Sequence, residues 1–380
     1  MKILALSERA QGGGLECYLQ TVAEGFRARG SEMRLLTRAD LGFADEHDAP
    51  RPEAGARLRE LASSFGPDAI AIHNVLDAEV IAAAGPLAPT VYHFHDHRLF
   101  CPNGDRVFPR GRKRCGEKMG AACLIHSALH GCAYGPRSET NVLLQRRRAT
   151  AAAALATGAI VVYSEFMERE ALANGVPQPL LHRLRPPIPP AFLREPRERD
   201  RTRTSVFFGA RIEPVKGLQH LVRAIAAIPH ERRPLLTIAG DGPDLAASLA
   251  LADRLGCEVR ALGTLDRDGV IAALDACTIA AMPSLWNEPF GLSGVEAFAR
   301  ARPVAAYVSG GIPEWIGEGG IAVPCGDIRA LRSAIETLLE EARWQTCSRS
   351  AREIAQTYSL EPHLDELIGV YGGSSLNVEF

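Results

Sequence analysis

Nine consecutive residues, Glu288-Pro289-Phe290-Gly291-Leu292-Ser293-Gly294-Val295-Glu296, gather two carboxylates and two glycines in one short stretch. They follow an apolar run at 278–282 and lead into a helical pattern. Gly291 and Gly294 leave backbone N–H groups uncovered at a helix start, which suits hydroxyls or an anion. Glu288 stands before that helix and Glu296 about two turns into it, so the two could grip different parts of one long ligand. An acidic loop and a solvated helical glutamate would look the same if these residues stood alone. A second cluster, Gly209-Ala210-Arg211-Ile212-Glu213-Pro214-Val215-Lys216-Gly217, follows another apolar run at 205–208. Arginine forks two oxygens and lysine acts as a point charge, so both can reach one diphosphate. The plainer reading is a surface loop with ordinary charges. A third feature, Gly12-Gly13-Gly14, lies between the first strand and the first helix, where bare backbone lets a phosphate approach. It is not a dinucleotide fingerprint: Cys17 stands where the last glycine of that motif would fall, which counts against a dehydrogenase.

These clusters need elements to hold them. Apolar runs at 2–7, 33–37, 69–73, 90–95 and 159–163 read as strands, and helical patterns separate them. A second series follows at 205–208, 235–239, 259–262, 278–282 and 304–308. Between them, Leu218, Leu221, Val222, Ile225 and Ile228 repeat at helical spacing. Alternation of this kind predicts an α/β protein with two doubly wound, Rossmann-like domains, each built on a parallel sheet. Such sheets bind ligands beyond the carboxyl ends of their strands, which is where all three clusters fall. The domains are expected to face a central cleft. Five prolines and a charged run within 185–203 read as a solvated linker. Residues from 327 onward read as helical. Residues 97–137 lack periodicity and are rich in Gly, Arg and Cys, which in a compact domain marks a functional or mobile segment.

Taken in order, Gly209-x-Arg211-x4-Lys216-Gly217, Gly240-Asp241-Gly242-Pro243 and Glu288-x7-Glu296 resemble the family 4 retaining glycosyltransferases of the GT-B fold, the glycosyl transferases group 1. Lesser matches are Ala28-Arg29-Gly30-Ser31-Glu32-Met33, His95-Asp96 and Ser164, so the resemblance runs through nearly the whole chain. It implies an acceptor-binding domain over residues 1–187, including the insert at 97–137. It also implies a nucleotide-sugar domain over 204–357 and a helical segment, 358–380, that crosses back to the first domain. Arg211 and Lys216 would bind the donor diphosphate, and Gly209 and Gly240 would also belong to the donor-binding set. Glu288 would hold hydroxyls of the transferred sugar, helped by backbone N–H groups of Phe290, Gly291 and Leu292. Glu296 would hold the ribose, Gly13 and Gly14 would approach the distal phosphate or acceptor, and His95 would line the sugar site. The donor phosphate would take the acceptor proton, and no cofactor would be required for catalysis. Rival readings are another GT-B enzyme, such as a sugar-nucleotide epimerase or a phosphorylase, and a non-catalytic partner subunit.

The remaining features bear on partners. His93, His95 and His97 alternate and would share a face if their strand continued, which raises a metal site against the plainer reading of structural histidines. Cys101, Cys115, Cys123 and Cys132 crowd the insert. Structural zinc is the sharper reading, although no C-x2-C pair is present, and free buried thiols are the plainer one. Arg110-Gly111-Arg112-Lys113-Arg114 is either a solvated loop or a contact for an anionic acceptor or membrane headgroups. A net charge of -2 and the lack of aromatics within the basic run argue against nucleic acid. The polar Ser7-Glu8-Arg9 ends the first apolar run too early for a signal peptide, and no apolar run nears the roughly 18 residues of a membrane span. The expectation is a cytoplasmic protein whose one membrane role would be peripheral, at the inner membrane.

Overall fold

The computed structural model describes residues 1–8, 13–43, 52–108, 113–132, 137–199 and 202–373; Gly12 and the Arg110-Gly111-Arg112 part of the basic run lie outside them. The chain divides into two compact units, Met1–Pro187 with Leu360–Phe380, and Ile188–Ser359.

The first unit runs β1 (Lys2–Ser7), α1 (Gly14–Ala28), β2 (Glu32–Thr37), α2 (Pro52–Phe65), β3 (Ala69–His73), α3 (Ala78–Ala84), β4 (Thr90–Phe94), α4 (Ala121–His130), α5 (Arg137–Leu155), β5 (Gly158–Val162), α6 (Glu165–Ala173) and β6 (Leu181–Arg183). The second runs β7 (Ser205–Gly209), α7 (Leu218–Ala226), β8 (Leu235–Ala239), α8 (Leu245–Arg254), β9 (Val259–Ala261), α9 (Arg267–Ala276), β10 (Ile279–Met282), α10 (Leu292–Ala299), β11 (Val304–Tyr307), β12 (Gly320–Val323), α11 (Ile328–Leu339) and α12 (Glu341–Gln356). A last helix, α13 (Leu360–Tyr371), belongs to the first unit.

Each unit holds a parallel sheet of six strands among the described residues, ordered β2-β1-β3-β4-β5-β6 and β12-β11-β10-β7-β8-β9. Side chains on a strand alternate between faces, and here the alternation feeds two cores per sheet. In the first unit Leu4, Leu6, Ile70, Ile72, Tyr92 and Phe94 point into one core. Ile3, Ala69, Ala71, Val91 and Val161 point into the other, against α1 and α13. In the second unit Val206, Phe208, Leu236 and Ile238 are separated in the same way from Phe207, Ala239, Ala280 and Met282. Sheets covered on both faces explain why the strands read as continuous apolar runs. Leu364 and Leu367 of α13 are fully buried, each worth about 1.5–3 kcal/mol.

Three expectations need correction. The fourth strand stops at Phe94. Asp96 then caps a short 3-10 turn, His97–Leu99, by accepting the Arg98 N–H at 2.9 Å, so His97 leaves the face that His93 and His95 share. The stretch read as a solvated linker packs instead on the second unit. Ile188 and Phe192 are buried there. Arg300 donates to the carbonyls of Phe192, Arg194 and Glu195, and Arg302 to that of Arg197. Arg199, in the charged run, is paired with Glu341 and lies 4.3 Å from the Trp344 ring. Finally, the insert is not wholly irregular, because it contains α4 and an antiparallel bridge from Val107 to Arg114.

Candidate functional site

The order β11-β10-β7-β8 sets the loops after four neighbouring strands side by side at the carboxyl edge of the second sheet. Backbone hydrogen bonds stitch them together. Ala210 N–H donates to the Ala239 carbonyl at 3.1 Å and Ile212 N–H to Asp241 at 2.8 Å, joining the loops after β7 and β8. Gly240, at φ 124°, passes so close that a Cβ would stand 1.9 Å from the Ala210 oxygen. Leu285 N–H donates to Val215 at 2.7 Å, joining the loops after β7 and β10. Gly217, left-handed at φ 75°, caps α7 where a Cβ would meet the Pro283 oxygen at 2.0 Å. Only glycine fits such contacts.

This stitching brings Lys216 and Glu288 together. Lys216 Nζ lies 2.8 Å from Glu288 Oε1 and 4.5 Å from the centre of the Trp286 ring. The Ser284 hydroxyl donates to the same carboxylate oxygen at 2.5 Å. Burial alone would raise the Glu288 pKa. The Lys216 charge and the hydrogen bonds from Lys216, Ser284 and Trp286 outweigh it and hold the carboxyl below its ordinary range, so Glu288 is ionised. The Glu288 backbone is fixed as well, since its carbonyl accepts the Gly311 N–H at 2.9 Å. Farther on, the Phe290 carbonyl accepts the Trp315 indole N–H at 2.7 Å. Gly291, at φ 95°, opens α10 with no side-chain cap, which leaves the helix start to backbone N–H groups. Glu296 lies on α10, half-buried, and burial pushes its pKa up to about 7 against the opposing charge of Arg267. Arg211 differs from Lys216: its side chain is 64% exposed and 3.3 Å from Glu213.

The first unit gathers a different set. His73 ends β3 and pairs in register with His93 on β4. His73 Nδ1 lies 2.9 Å from His95 Nε2. His93 Nδ1 meets the Tyr163 hydroxyl at 2.7 Å, and its Nε2 meets the Tyr371 hydroxyl at 3.1 Å. Tyr163 donates to Tyr18 at 2.9 Å, and Tyr18 reaches His363 Nε2 at 3.0 Å. Burial pushes the His73 and His363 pKa values down to about 3 and those of His93 and His95 well below the ordinary histidine range, so all four are neutral at pH 7. Asn74, at φ 55°, accepts the His95 N–H at 3.0 Å and donates to Asp96 at 2.9 Å. Gly13 caps α1 without a side-chain bond, and a Cβ on Gly14 would meet nothing within 4 Å. Ser164 caps α6 by accepting the Met167 N–H at 3.0 Å.

The metal readings fare unequally. The expected set of His93, His95 and His97 does not form, because His97 is buried against Phe166. Ligand atoms of His73, His93 and His95 do lie within 4.8 Å of one another. The lone pairs of imidazole lie in the ring plane. Since His73 and His93 stack at 4.1 Å with planes 24° apart, they cannot aim at one ion. Cys101, Cys115, Cys123 and Cys132 are free and half-buried. Burial, and then the proximity of Cys115, Cys101 and Cys123, pushes the Cys132 thiol up to about 11. The residues that sequence reasoning missed are His73, Tyr18, Tyr163, His363, Ser284 and Trp286.

Comparison with known proteins bears on the unit that holds Lys216 and Glu288. Residues 191–356 match the family described as glycosyl transferases group 1. The second unit belongs to that family. A D-inositol 3-phosphate glycosyltransferase of Mycobacterium sp. (strain KMS) is 36% identical over 185 residues, covering 47% of this chain and 40% of the relative. A glycogen synthase of Mycobacterium tuberculosis (strain CDC 1551 / Oshkosh) is 34% identical over 157 residues, covering 39% and 37%. The chain thus spans well under half the length of these relatives. Solved structures extend the likeness in fold to the whole chain. The crystal structure of Anabaena HepE in complex with UDP-glucose matches with TM-score 0.72 at 21% identity, covering 98% of this chain and 100% of that one. WaaG, a glycosyltransferase involved in lipopolysaccharide biosynthesis, matches with TM-score 0.67 at 16% identity, covering 98% and 100%. The fold is therefore that of the GT-B glycosyltransferases.

Proposed function

We propose that this chain is a retaining glycosyltransferase that moves a sugar from a nucleotide-diphosphate donor to an acceptor chosen by the first unit. The observation that carries the reading is the Lys216–Glu288 pair at 2.8 Å, with Glu288 buried and Lys216 half-buried, set beside the uncapped start of α10. A buried charged pair is weak evidence for stability and is more readily understood as part of a site. Arg211, exposed, and Lys216 supply two positive charges for a leaving diphosphate. Glu288, ionised, accepts hydrogen bonds from sugar hydroxyls and stabilises positive charge developing at the anomeric carbon. Glu296 takes the ribose. The acceptor proton passes to a donor phosphate oxygen, and His95 lines the sugar site.

UDP-glucose, which HepE binds, is the first donor to try. A thermal-shift panel of nucleotide sugars and free nucleoside diphosphates tests the proposal. The expected result is stabilisation by at least one donor and its nucleoside diphosphate. Arg211→Ala should lower that affinity by about 10- to 150-fold, the equivalent of one charge-assisted contact of roughly 1.5–3 kcal/mol, without lowering Tm. Stabilisation by no nucleotide, or full affinity in Arg211→Ala, would overturn the donor assignment.

The acceptor side carries one further observation. No residue of α4 is buried, and Leu124, Ile125 and Leu129 are 40%, 61% and 59% exposed. Phe108, next to the bridge from Val107 to Arg114, packs against His126 and His130 of α4. Apolar and basic groups placed together favour an acceptor at an anionic membrane surface.

A further inference from the structure

The hydrogen bond between His73 and His95 leaves one question of chemistry, which is where its proton sits. Two neutral imidazoles share a contact at 2.9 Å, so one nitrogen donates and the other accepts. The rest of His73 decides between them. His73 is 1% exposed, and its Nε2 is buried with no hydrogen-bond partner. A neutral imidazole carries one N–H. If His73 held it on Nε2, a buried donor would have no acceptor, and orphaned buried N–H groups are rarer and costlier than orphaned acceptors. The proton of His73 therefore belongs on Nδ1, and His95 Nε2 accepts it. A doubly protonated His73 would satisfy the bond too, but burial holds its pKa near 3.

The consequence falls on His95. With Nε2 accepting, its own single proton must be on Nδ1. His95 is half-buried, and its Nδ1 makes no hydrogen bond among the described residues. The ring cannot turn over to exchange the two nitrogens. It stacks on Tyr163 at 4.6 Å, with planes 24° apart, and meets the edge of Tyr18 at 5.1 Å. Tyr163 and Tyr18 are in turn bonded to each other, to His93 and to His363 of α13. Asn74 holds the His95 backbone from the left-handed end of β3, one residue beyond His73.

We propose that His73 is a positioning residue that fixes His95 in the neutral tautomer with its proton on Nδ1, so that His95 presents a hydrogen-bond donor rather than an acceptor. Under the transferase reading above, on which this last step rests, that N–H donates to a hydroxyl of the bound sugar. Neither histidine moves a proton in the reaction. The pair instead sets one polarity of hydrogen bond before the ligand arrives, as outer-shell partners of histidines commonly do.

Nitrogen-15 correlation spectra of protein labelled at histidine read the tautomer directly, without any donor or acceptor. The expected result for His95 is a protonated Nδ1 and an unprotonated Nε2. A protonated Nε2 on His95 in the unaltered protein would overturn the proposal, whatever the protein's activity. Two substitutions separate positioning from packing. In Asn the side-chain amide nitrogen stands near the place of Nδ1, so His73→Asn keeps the donor and should keep both the tautomer and kcat within about threefold. His73→Leu removes the donor, should release the tautomer, and should lower kcat by roughly 10- to 100-fold with KM little changed. Loss of the tautomer in His73→Asn as complete as in His73→Leu would also count against it. If the spectra show the tautomer but the protein transfers no sugar, the transferase reading fails and the role of His73 stands. Should His73→Leu fail to fold, the unaltered protein and His73→Asn still decide the question.

Discussion

Replacing Lys216 by methionine keeps the length of the side chain and removes its charge, which leaves Glu288 buried without its cation. At 2.8 Å and an effective dielectric near 20, the Coulomb attraction is about 332/(20 × 2.8), or roughly 6 kcal/mol. Desolvation of both groups offsets much of this, and removal of one partner of a buried pair typically costs about 3–5 kcal/mol. Near 3 kcal/mol is the better expectation here, because the Ser284 hydroxyl still donates to the carboxylate. For a unit of this size, 1 kcal/mol moves Tm by about 2–4 °C, so Lys216→Met should lower it by roughly 6–12 °C at pH 7. The sign with pH follows from Glu288. In the unaltered protein its folded pKa lies below the ordinary 4.5, so it adds stability that is present above 4.5 and is lost as pH falls through the folded value. Without Lys216, burial takes over and raises the folded pKa above 4.5, so the penalty grows as pH rises past that value. The deficit of Lys216→Met should therefore be largest near pH 7 and shrink toward pH 4.5. Glu288→Gln alone should cost about 1 kcal/mol, and the double substitution less than the sum by about 2 kcal/mol. Scanning calorimetry of the four proteins at several pH values measures the cycle. Additivity within about 0.5 kcal/mol, the usual figure for independent sites, or a deficit that does not change with pH, would refute the coupling.

Three further outcomes follow from the same geometry. Glu296, with a pKa of about 7, should accept ribose hydroxyls well only above that value, so nucleoside diphosphate affinity should strengthen as pH rises through 7, beyond any change seen in Glu296→Gln; identical pH profiles would remove Glu296 from the ribose. Gly240→Ala, whose Cβ would stand 1.9 Å from a backbone oxygen, should lower Tm markedly, whereas Gly14→Ala, which meets nothing within 4 Å, should leave it unchanged; equal shifts would contradict the stitched-loop account. Metal analysis of tag-free protein should find about one zinc per chain if Cys101, Cys115, Cys123 and Cys132 close on an ion, with loss in Cys115→Ser; zinc far below one per chain would leave them as free thiols.

Strand placement was legible because apolar runs of four to six residues stood between helical patterns. The two strands missed, β6 and β12, show the limit. Leu181–Arg183 has three residues and two of them are half-polar surface, while Gly320–Val323 sits among glycines; both lie at sheet edges, where burial on two faces no longer writes a continuous apolar run. The linker was misread for another reason. Proline and charge in 185–203 are local signals, but the arginines that hold its carbonyls, Arg300 and Arg302, lie more than a hundred residues on. At the candidate site, Lys216 and Glu288 stood out by their place after strands, yet their mutual contact did not, since it depends on β7 and β10 being neighbours. His73 could have been found by one further step. It ends its strand as His93 nearly ends the next, and parallel neighbours in register place the two side by side.

The most direct test of the account is the turnover of Glu288→Gln set against its affinity for nucleotide. The substitution preserves size and leaves Arg211, Lys216 and Glu296 in place, so nucleoside diphosphate should bind within about threefold of the unaltered protein. Loss of one preorganised electrostatic contact typically costs about 10²–10³ in rate. With the donor found by the nucleotide-sugar panel and any acceptor it serves, transfer should therefore fall by that factor while binding holds. Near-normal transfer by Glu288→Gln would contradict the central claim, and a collapse of nucleotide binding would move Glu288 from the sugar to the nucleotide or to the fold.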